Sequence, residues 1–165
     1  MRVLIILITS LFFTIIALGQ QPTQDSGFID KAEAKNELKN GVKEGKWIEY
    51  SFYDFNISDN SSVPCNNSYR LTVYKSGVPF GIQRVYKCNG ELWVEIIYIG
   101  GIDNRIEKIY YSNGTLKSLS PYTFNKLNGV RRAYYENGKL LSETIFTNGI
   151  QGIIKSYYEN GNEIK

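Results

Sequence analysis

Short runs of β-prone residues, in which hydrophobic and polar positions are mixed, lie between Asn-Gly pairs in residues 129–161. Successive side chains of a strand point to opposite faces of the sheet, so each run predicts two mixed faces. One predicted face carries Val130, Arg132, Tyr134, Leu141, Glu143 and Ile145, and the other carries Arg131, Ala133, Tyr135, Leu140, Ser142 and Phe146. Neither face is purely apolar. The core must therefore come from columns of aromatic and aliphatic side chains along the sheet.

The same five-residue pattern returns at a fixed distance along the chain. Tyr-Tyr-Glu-Asn-Gly occupies residues 134–138 and again 157–161, 23 positions later. Related segments occupy residues 110–114 and 86–90, at steps of 24. A fixed period of this size is typical of a repeat protein, in which each unit covers apolar surface of its neighbour.

Each unit contains two turn signals, which predicts one β-hairpin per repeat. Asn-Gly between β-prone runs is a strong signal for a two-residue turn with positive φ at both residues. It occurs at 89–90, 113–114, 137–138 and 160–161, and the second turn of a unit occurs at 148–149, near Gly77 and at 100–101. The sequence predicts an all-β fold, an open, elongated antiparallel meander of about ten strands. A sheet closed on itself is the less natural alternative.

Two-residue turns also fix which residues face each other. Around Asn137-Gly138 they pair Arg132 with Glu143 and Tyr134 with Leu141. Around Asn89-Gly90 they pair Arg84 with Glu95 and Tyr86 with Trp93. Opposite charges thus meet in two separate repeats, and such cross-strand pairs contribute about 0.2–1 kcal/mol each. The unit between them departs from this pattern, since Lys108 would face Leu119.

The N-terminal part of the chain does not follow the repeat. Residues 1–19 have the features of a signal peptide, with Arg2, an apolar run over 3–18 and a cleavage site after Gly19. Residues 20–40 are polar and form either a frayed helix or a mobile leader, which we favour. The repeat domain then covers 41–165, with a Ser/Asn/Asp-rich loop inserted at 51–70.

The repeat unit resembles a known family. The pattern G-x-x-K/R-x-Y-Y-x-N-G-x-L, clearest in residues 129–138, is similar to MORN repeats and especially to the bacterial MORN-repeat variant family. The resemblance covers residues 41–165 and implies hairpin repeats in an open sheet with scaffolding or binding roles. Some family members are described as antitoxins of toxin–antitoxin pairs. Arg105, in place of a repeat glycine, and the loop at 51–70 depart from the pattern.

The composition excludes several classes of function. The 165 residues contain no histidine and two cysteines, which removes the commonest general base and the zinc sites built from four Cys or from Cys and His. A net charge of +3 with interspersed signs gives no argument for nucleic acid. The sequence contains no catalytic motif and no cofactor motif, and we expect neither an enzyme nor a bound cofactor.

The most regular polar feature is a cation followed two residues later by a tyrosine on the same face. These candidate binding residues are Arg84, Tyr86, Lys108, Tyr110, Arg132, Tyr134, Lys155 and Tyr157. Spaced by about 10 Å, two strand separations, they form a track that suits an anionic polymer, a glycan or a lipid head group. The structural alternative, which we favour, is that Arg84 and Arg132 pair with Glu95 and Glu143 and lie over tyrosine rings.

The inserted loop and the cysteines supply the other candidates. Phe52, Tyr53 and Phe55 at the entry of the loop form a candidate recognition surface, against the alternative of a tolerated insertion. Cys65 and Cys88 suit a disulfide in an exported chain, which would tie the loop to the turn at 89–90, and a reactive thiol pair is the alternative.

These features predict a non-enzymatic, exported repeat protein that binds another protein at or outside the cell envelope. A module that binds a glycan or the cell wall is the first alternative, and the antitoxin or immunity partner of a toxin is the second. After removal of the signal peptide, the sequence predicts no membrane span.

Overall fold

The computed structural model describes residues 27–51 and 68–164. For Ser51 it describes the backbone only. A 3-10 helix, Lys31–Glu33, precedes the strands. The strands are β1 (Glu37–Lys39), β2 (Val42–Ser51), β3 (Ser68–Lys75), β4 (Val78–Tyr86), β5 (Leu92–Tyr98), β6 (Arg105–Tyr110), β7 (Leu116–Thr123), β8 (Lys126–Leu127), β9 (Gly129–Tyr134), β10 (Leu140–Thr147), β11 (Ile150–Tyr157) and β12 (Glu163–Ile164).

All of these strands belong to one open antiparallel sheet. Each strand pairs with the next along the chain from β1 to β7, and β7 then pairs with β9, which continues the order to β12. The two-residue β8 folds back on the end of β7. The predicted all-β meander of tandem hairpins is confirmed. The sheet begins at Glu37, within the segment assigned to the leader.

Two kinds of turn alternate along the sheet. At Asn148-Gly149 both residues have positive φ, 51° and 86°, as a two-residue hairpin turn requires. At Asn137-Gly138 only the glycine does, with φ 82°. There Gly138 N donates to Tyr135 O at 2.9 Å and Tyr135 N donates to Lys139 O at 2.8 Å, so the turn has three residues. The predicted positive φ at the asparagines is therefore wrong at Asn89, Asn113, Asn137 and Asn160.

The three-residue turn changes the pairing beside it. Tyr134 pairs with Leu140, and a bulge at Leu141 follows before Arg132 meets Glu143. The same shift pairs Tyr86 with Leu92. The predicted partners of Tyr134 and Tyr86, Leu141 and Trp93, are wrong, because the longer turn starts the pairing one residue earlier.

Beyond each bulge the predicted register is confirmed. Arg132 faces Glu143, Arg84 faces Glu95 and Lys108 faces Leu119. The extra residue of the bulge offsets the extra residue of the turn, so the sum of the paired residue numbers returns to its predicted value.

The principal hydrophobic cluster lies on one face of β2–β4 and includes a residue from the N-terminal segment. Phe28, Tyr69 and Leu71 are its buried members, and Ile48 and Val73 pack against them. Phe28 is only 4% exposed. Residues 28–39 therefore dock on the sheet, through this ring and through β1. The sequence of residues 28–39 does not predict this docking, because it has almost no periodic pattern of apolar residues.

Candidate binding surface

One face of the sheet carries a row of directly opposed side chains that runs across eight strands. We call it the charged row; its members are Leu71, Arg84, Glu95, Lys108, Leu119, Arg132, Glu143 and Lys155. The order Leu-Arg-Glu-Lys occurs twice, and its first three positions recur at a distance of two full repeats. The register thus brings the four cations of the predicted track into one line, with acidic and aliphatic residues between them.

The two arginines of the charged row make the same ion pair. Arg84 Nε donates to Glu95 Oε1 at 3.0 Å, and Arg132 Nε donates to Glu143 Oε1 at 2.8 Å. Lys108 Nζ lies 3.9 Å from Glu95 Oε2. This pairing of Arg84 and Arg132 agrees with the structural interpretation of the track. Whether the track also binds a ligand stays a prediction.

Two tyrosines of the track, Tyr86 and Tyr110, also have side chains engaged within the sheet. The Tyr86 ring stacks on Tyr69 with centroids 4.9 Å apart, and Tyr110 OH donates to Glu95 Oε2 at 2.6 Å. Burial, followed by that hydrogen bond, raises the pKa of Tyr110 far above its ordinary value. The main-chain carbonyls of Tyr134 and Tyr157 accept hydrogen bonds from the preceding repeats.

Those hydrogen bonds link each repeat to the next. Tyr111 OH donates to Tyr134 O, and Tyr135 OH donates to Tyr157 O, both at 2.8 Å. In these two Tyr-Tyr pairs, the second tyrosine thus binds the carbonyl of the first tyrosine in the following unit. The repeated pair therefore has a structural role between repeats.

A second periodic set, which the sequence reading missed, lies just before the other turn of each unit. It consists of Tyr74, Tyr98, Tyr122 and Phe146, which occupy the same position in successive repeats. Tyr98 OH donates to Gln83 Oε1 at 3.1 Å, and the Arg105 guanidinium lies 4.3 Å from the centroid of the Tyr122 ring. The fixed spacing was the signal that could have revealed this aromatic set.

Glu49 on β2 is the centre of a polar cluster. Its carboxylate accepts hydrogen bonds from Lys43 Nζ and, at 3.0 Å, from Tyr74 OH, and Arg70 Nε lies 3.3 Å away. Burial by itself would raise the pKa of Glu49, but the hydrogen bonds from Lys43 and Tyr74 and the charge of Arg70 outweigh it. The pKa therefore lies below its ordinary value.

We expect this cluster to make folding stability depend on pH. Because the pKa of Glu49 is lowered in the folded state, its stabilisation is present at neutral pH and is lost as the pH falls below about 4.5, through the folded pKa. Thermal melts of the wild type and Glu49→Gln from neutral to acidic pH measure this. The difference in Tm should shrink at low pH, while Glu159→Gln, in an exposed turn, should show little difference throughout. A difference that stays constant with pH would contradict the role of Glu49.

Several candidates from the sequence lie outside the described residues. These are the signal peptide, Phe52, Tyr53 and Phe55 of the loop, and Cys65. The disulfide between Cys65 and Cys88 stays a prediction, and the structure places Cys88 in the turn between Lys87 and Glu91.

Within 27–51 and 68–164, no group of metal-binding side chains comes together. No helix in those ranges is long and apolar enough to span a membrane.

The last strands carry an apolar surface that faces solvent. On β11, Ile150, Ile153 and Ile154 are 74%, 68% and 52% exposed. Further exposed apolar side chains on or beside β10–β12 are Ile145, Tyr158 and Ile164. Exposed apolar side chains grouped on neighbouring strands mark interaction sites in proteins. We call these six residues the C-terminal apolar surface.

Comparison with known families supports the repeat assignment. Residues 106–123, 127–148 and 150–162 match the family described as MORN repeat variant. The first two matches each cover a hairpin, β6–β7 and β9–β10, and the third covers β11 and its turn. The resemblance seen in the sequence is thus confirmed over these residues. No curated protein and no solved structure matches the chain significantly.

Proposed function

We propose that this chain, whose residues 106–162 belong to the MORN repeat variant family, is an exported, non-enzymatic module that binds another protein at or outside the cell envelope. Repeats of this family typically serve as binding modules. The observation that carries the proposal is the C-terminal apolar surface on β10–β12. When a partner protein buries these isoleucines, the transfer of their side chains out of water contributes favourably to the free energy of binding.

The backbone of β11 supports the same conclusion. β12 pairs with Ser156 and Tyr157. In the part of the chain that the structure describes, no strand pairs with the outer side of residues 150–155. An unpaired edge next to exposed apolar side chains suits the addition of a strand from a partner, in which main-chain hydrogen bonds supply affinity and alternate side chains supply specificity.

At the opposite end of the sheet, the edge of β2 is covered by a short strand, β1, which has only three residues and carries Glu37 and Lys39. β1 pairs with the start of β2, and the N–H groups of Lys35 and Asn36 both donate to Lys46 O. The Asn36 side-chain amide also bonds both main-chain groups of Ile48. The contrast between the two edges favours the β11 edge as the one that takes a partner.

The stacking of Tyr86, one of the four tyrosines of the track, favours a protein over a glycan as the partner. Glycan binding needs open ring faces, whereas Tyr86 is stacked on Tyr69 and Lys31 Nζ lies 3.7 Å from the centroid of the Tyr69 ring. The absence of histidine from the sequence supports a non-enzymatic role. The N-terminal signal sequence supports export.

A capture experiment followed by a binding measurement tests the proposal. Chain beginning at Gln20 is crosslinked in an envelope fraction, the captured protein is purified, and its Kd is measured by calorimetry. Ile150→Lys combined with Ile153→Lys should weaken binding at least about tenfold, because lysine ammonium groups resist burial in the interface. The matched control is Ile99→Lys with Ile102→Lys, two isoleucines exposed elsewhere. Equal affinity of the two double variants, or binding of envelope polysaccharide alone, would refute the proposal.

A further inference from the structure

The charged row contains two equivalent sites, which lie two repeats apart. Leu71, Arg84 and Glu95 in the first half correspond to Leu119, Arg132 and Glu143 in the second. Tyr86, two residues after Arg84, likewise corresponds to Tyr134. The ion pairs of the two sites use the same atoms, Nε and Oε1. We call them the first and the second site.

The first site is occupied by the chain's own N-terminal segment, residues 27–34. The Phe28 ring is buried against Tyr69 and Leu71. The Phe28 carbonyl accepts a hydrogen bond from Arg84 Nη1 at 3.3 Å. Beyond the ring, Glu33 forms an ion pair with Lys46. The segment is thus bound through an aromatic ring, a main-chain carbonyl and an acidic side chain.

The second site is open among the described residues. The Arg132 side chain is 42% exposed, whereas that of Arg84 is 8% exposed. Arg132 uses Nε for Glu143, as Arg84 uses Nε for Glu95, and within 27–51 and 68–164 its terminal nitrogens form no hydrogen bond like that of Arg84 Nη1 to Phe28. Leu119 and Tyr134 are half-buried without any segment over them that corresponds to Phe28.

We propose that the second site binds an extended peptide segment of a partner protein that carries an aromatic residue followed by acidic residues. The segment that fills the first site supplies this chemistry, with Phe28, Asp30 and Glu33. Charge complementarity favours it as well. At the second site, the cations Arg132 and Lys155 outnumber Glu143 by one, while residues 27–34 carry two acids and one base. Lys108, the neighbouring cation of the charged row, lies 3.9 Å from Glu95.

The two sites are not identical, and their differences indicate specificity. Ile48 pairs with Leu71 as Lys108 pairs with Leu119, and Tyr69 lies two residues before Leu71 as Lys117 lies two residues before Leu119. The second site is therefore more basic and less apolar, so it should prefer a more acidic peptide. This site adjoins the C-terminal apolar surface but is formed by different residues. Variants of Arg132 and variants of Ile150 and Ile153 therefore test the two proposals independently, and either can fail while the other stands.

A peptide titration followed by NMR tests the second site. The probe is a synthetic, terminally blocked peptide of residues 27–34, added to the isotopically labelled chain that begins at Gln20. We expect one peptide per chain, a Kd of roughly 10⁻⁴ M, and shifted amide signals centred on Leu119, Arg132 and Tyr134. The affinity should fall as salt concentration rises. A probe with alanine in place of phenylalanine should not bind.

Two variants of the chain sharpen the test. Arg132→Gln should weaken binding about tenfold, because it removes the charged donor for the peptide carbonyl. Arg131→Gln, at the exposed neighbouring position on the other face of β9, should leave the affinity unchanged. Thermal melts of both variants confirm that they are folded.

Three results would overturn the inference. The first is no saturable binding to the wild type. The second is amide shifts confined to residues 69–86, which would mean that the probe only displaces the chain's own segment from the first site. The third is a concentration-dependent dimer in sedimentation that the probe dissociates, which would assign the second site to another copy of this chain.

Discussion

Arg84→Gln should lower the free energy of unfolding by about 3–5 kcal/mol, whereas Arg132→Gln should lower it by less than about 1 kcal/mol. The two arginines make the same bond to a glutamate but differ in burial. The Arg84 and Glu95 side chains are 8% and 12% exposed, against 42% and 27% for Arg132 and Glu143. Removal of Arg84 leaves a buried carboxylate without its main partner, while water and salt already screen the exposed pair.

Urea unfolding followed by circular dichroism measures both losses. A further control removes the charge on both sides of the buried pair, since replacement of Arg84 and Glu95 by apolar residues should recover part of the loss. Equal losses for Arg84→Gln and Arg132→Gln would contradict the idea that burial by the N-terminal segment separates the two sites.

Phe28→Ala should cost about 3–5 kcal/mol of folding stability. Phe28 is one of the three buried members of the hydrophobic cluster, and its ring covers Leu71, which is fully buried. The change also opens the first site to water, so the Arg84–Glu95 pair loses part of its low-dielectric surroundings. For a thin sheet with few buried apolar side chains, this single ring contributes a large share of the core.

The matched control is Ile29→Ala, because Ile29 is next in sequence and 71% exposed. It should change stability by less than about 0.5 kcal/mol. Thermal and urea unfolding of the two variants provide the comparison. If Phe28→Ala and Ile29→Ala cost the same, residues 27–34 do not form part of the folded core.

At the repeated turns, the sequence predicted the position of each hairpin and most of its register, but not the type of turn. Each Asn-Gly pair predicted a hairpin turn at the correct place in the chain. The opposed charges of Arg132 and Glu143 gave the correct register along most of their hairpin. Yet Asn-Gly is compatible both with a two-residue turn and with a three-residue turn that has a type I bend. At Asn137 the backbone forms the three-residue turn, in which the Asn137 side chain accepts a hydrogen bond from Lys139 N at 3.0 Å.

The candidate site was predictable only in part. The constant repeat period indicated that the cations would line up, because hairpins of equal length repeat the same face. It could not indicate that one half of the row is covered and the other open. That difference comes from Phe28, which lies 56 residues before Arg84 in the sequence and outside the repeats.

The sequence alone determined the all-β class, the hairpin as the repeating unit and the alignment of the charged row, because turn chemistry and side-chain alternation are local and recur with the repeat. The tertiary structure decided the turn type beside each bulge, the docking of residues 28–39 and the inequality of the first and second sites. These depend on contacts between distant segments, for which burial and hydrogen-bond geometry, rather than local propensity, set the free energy.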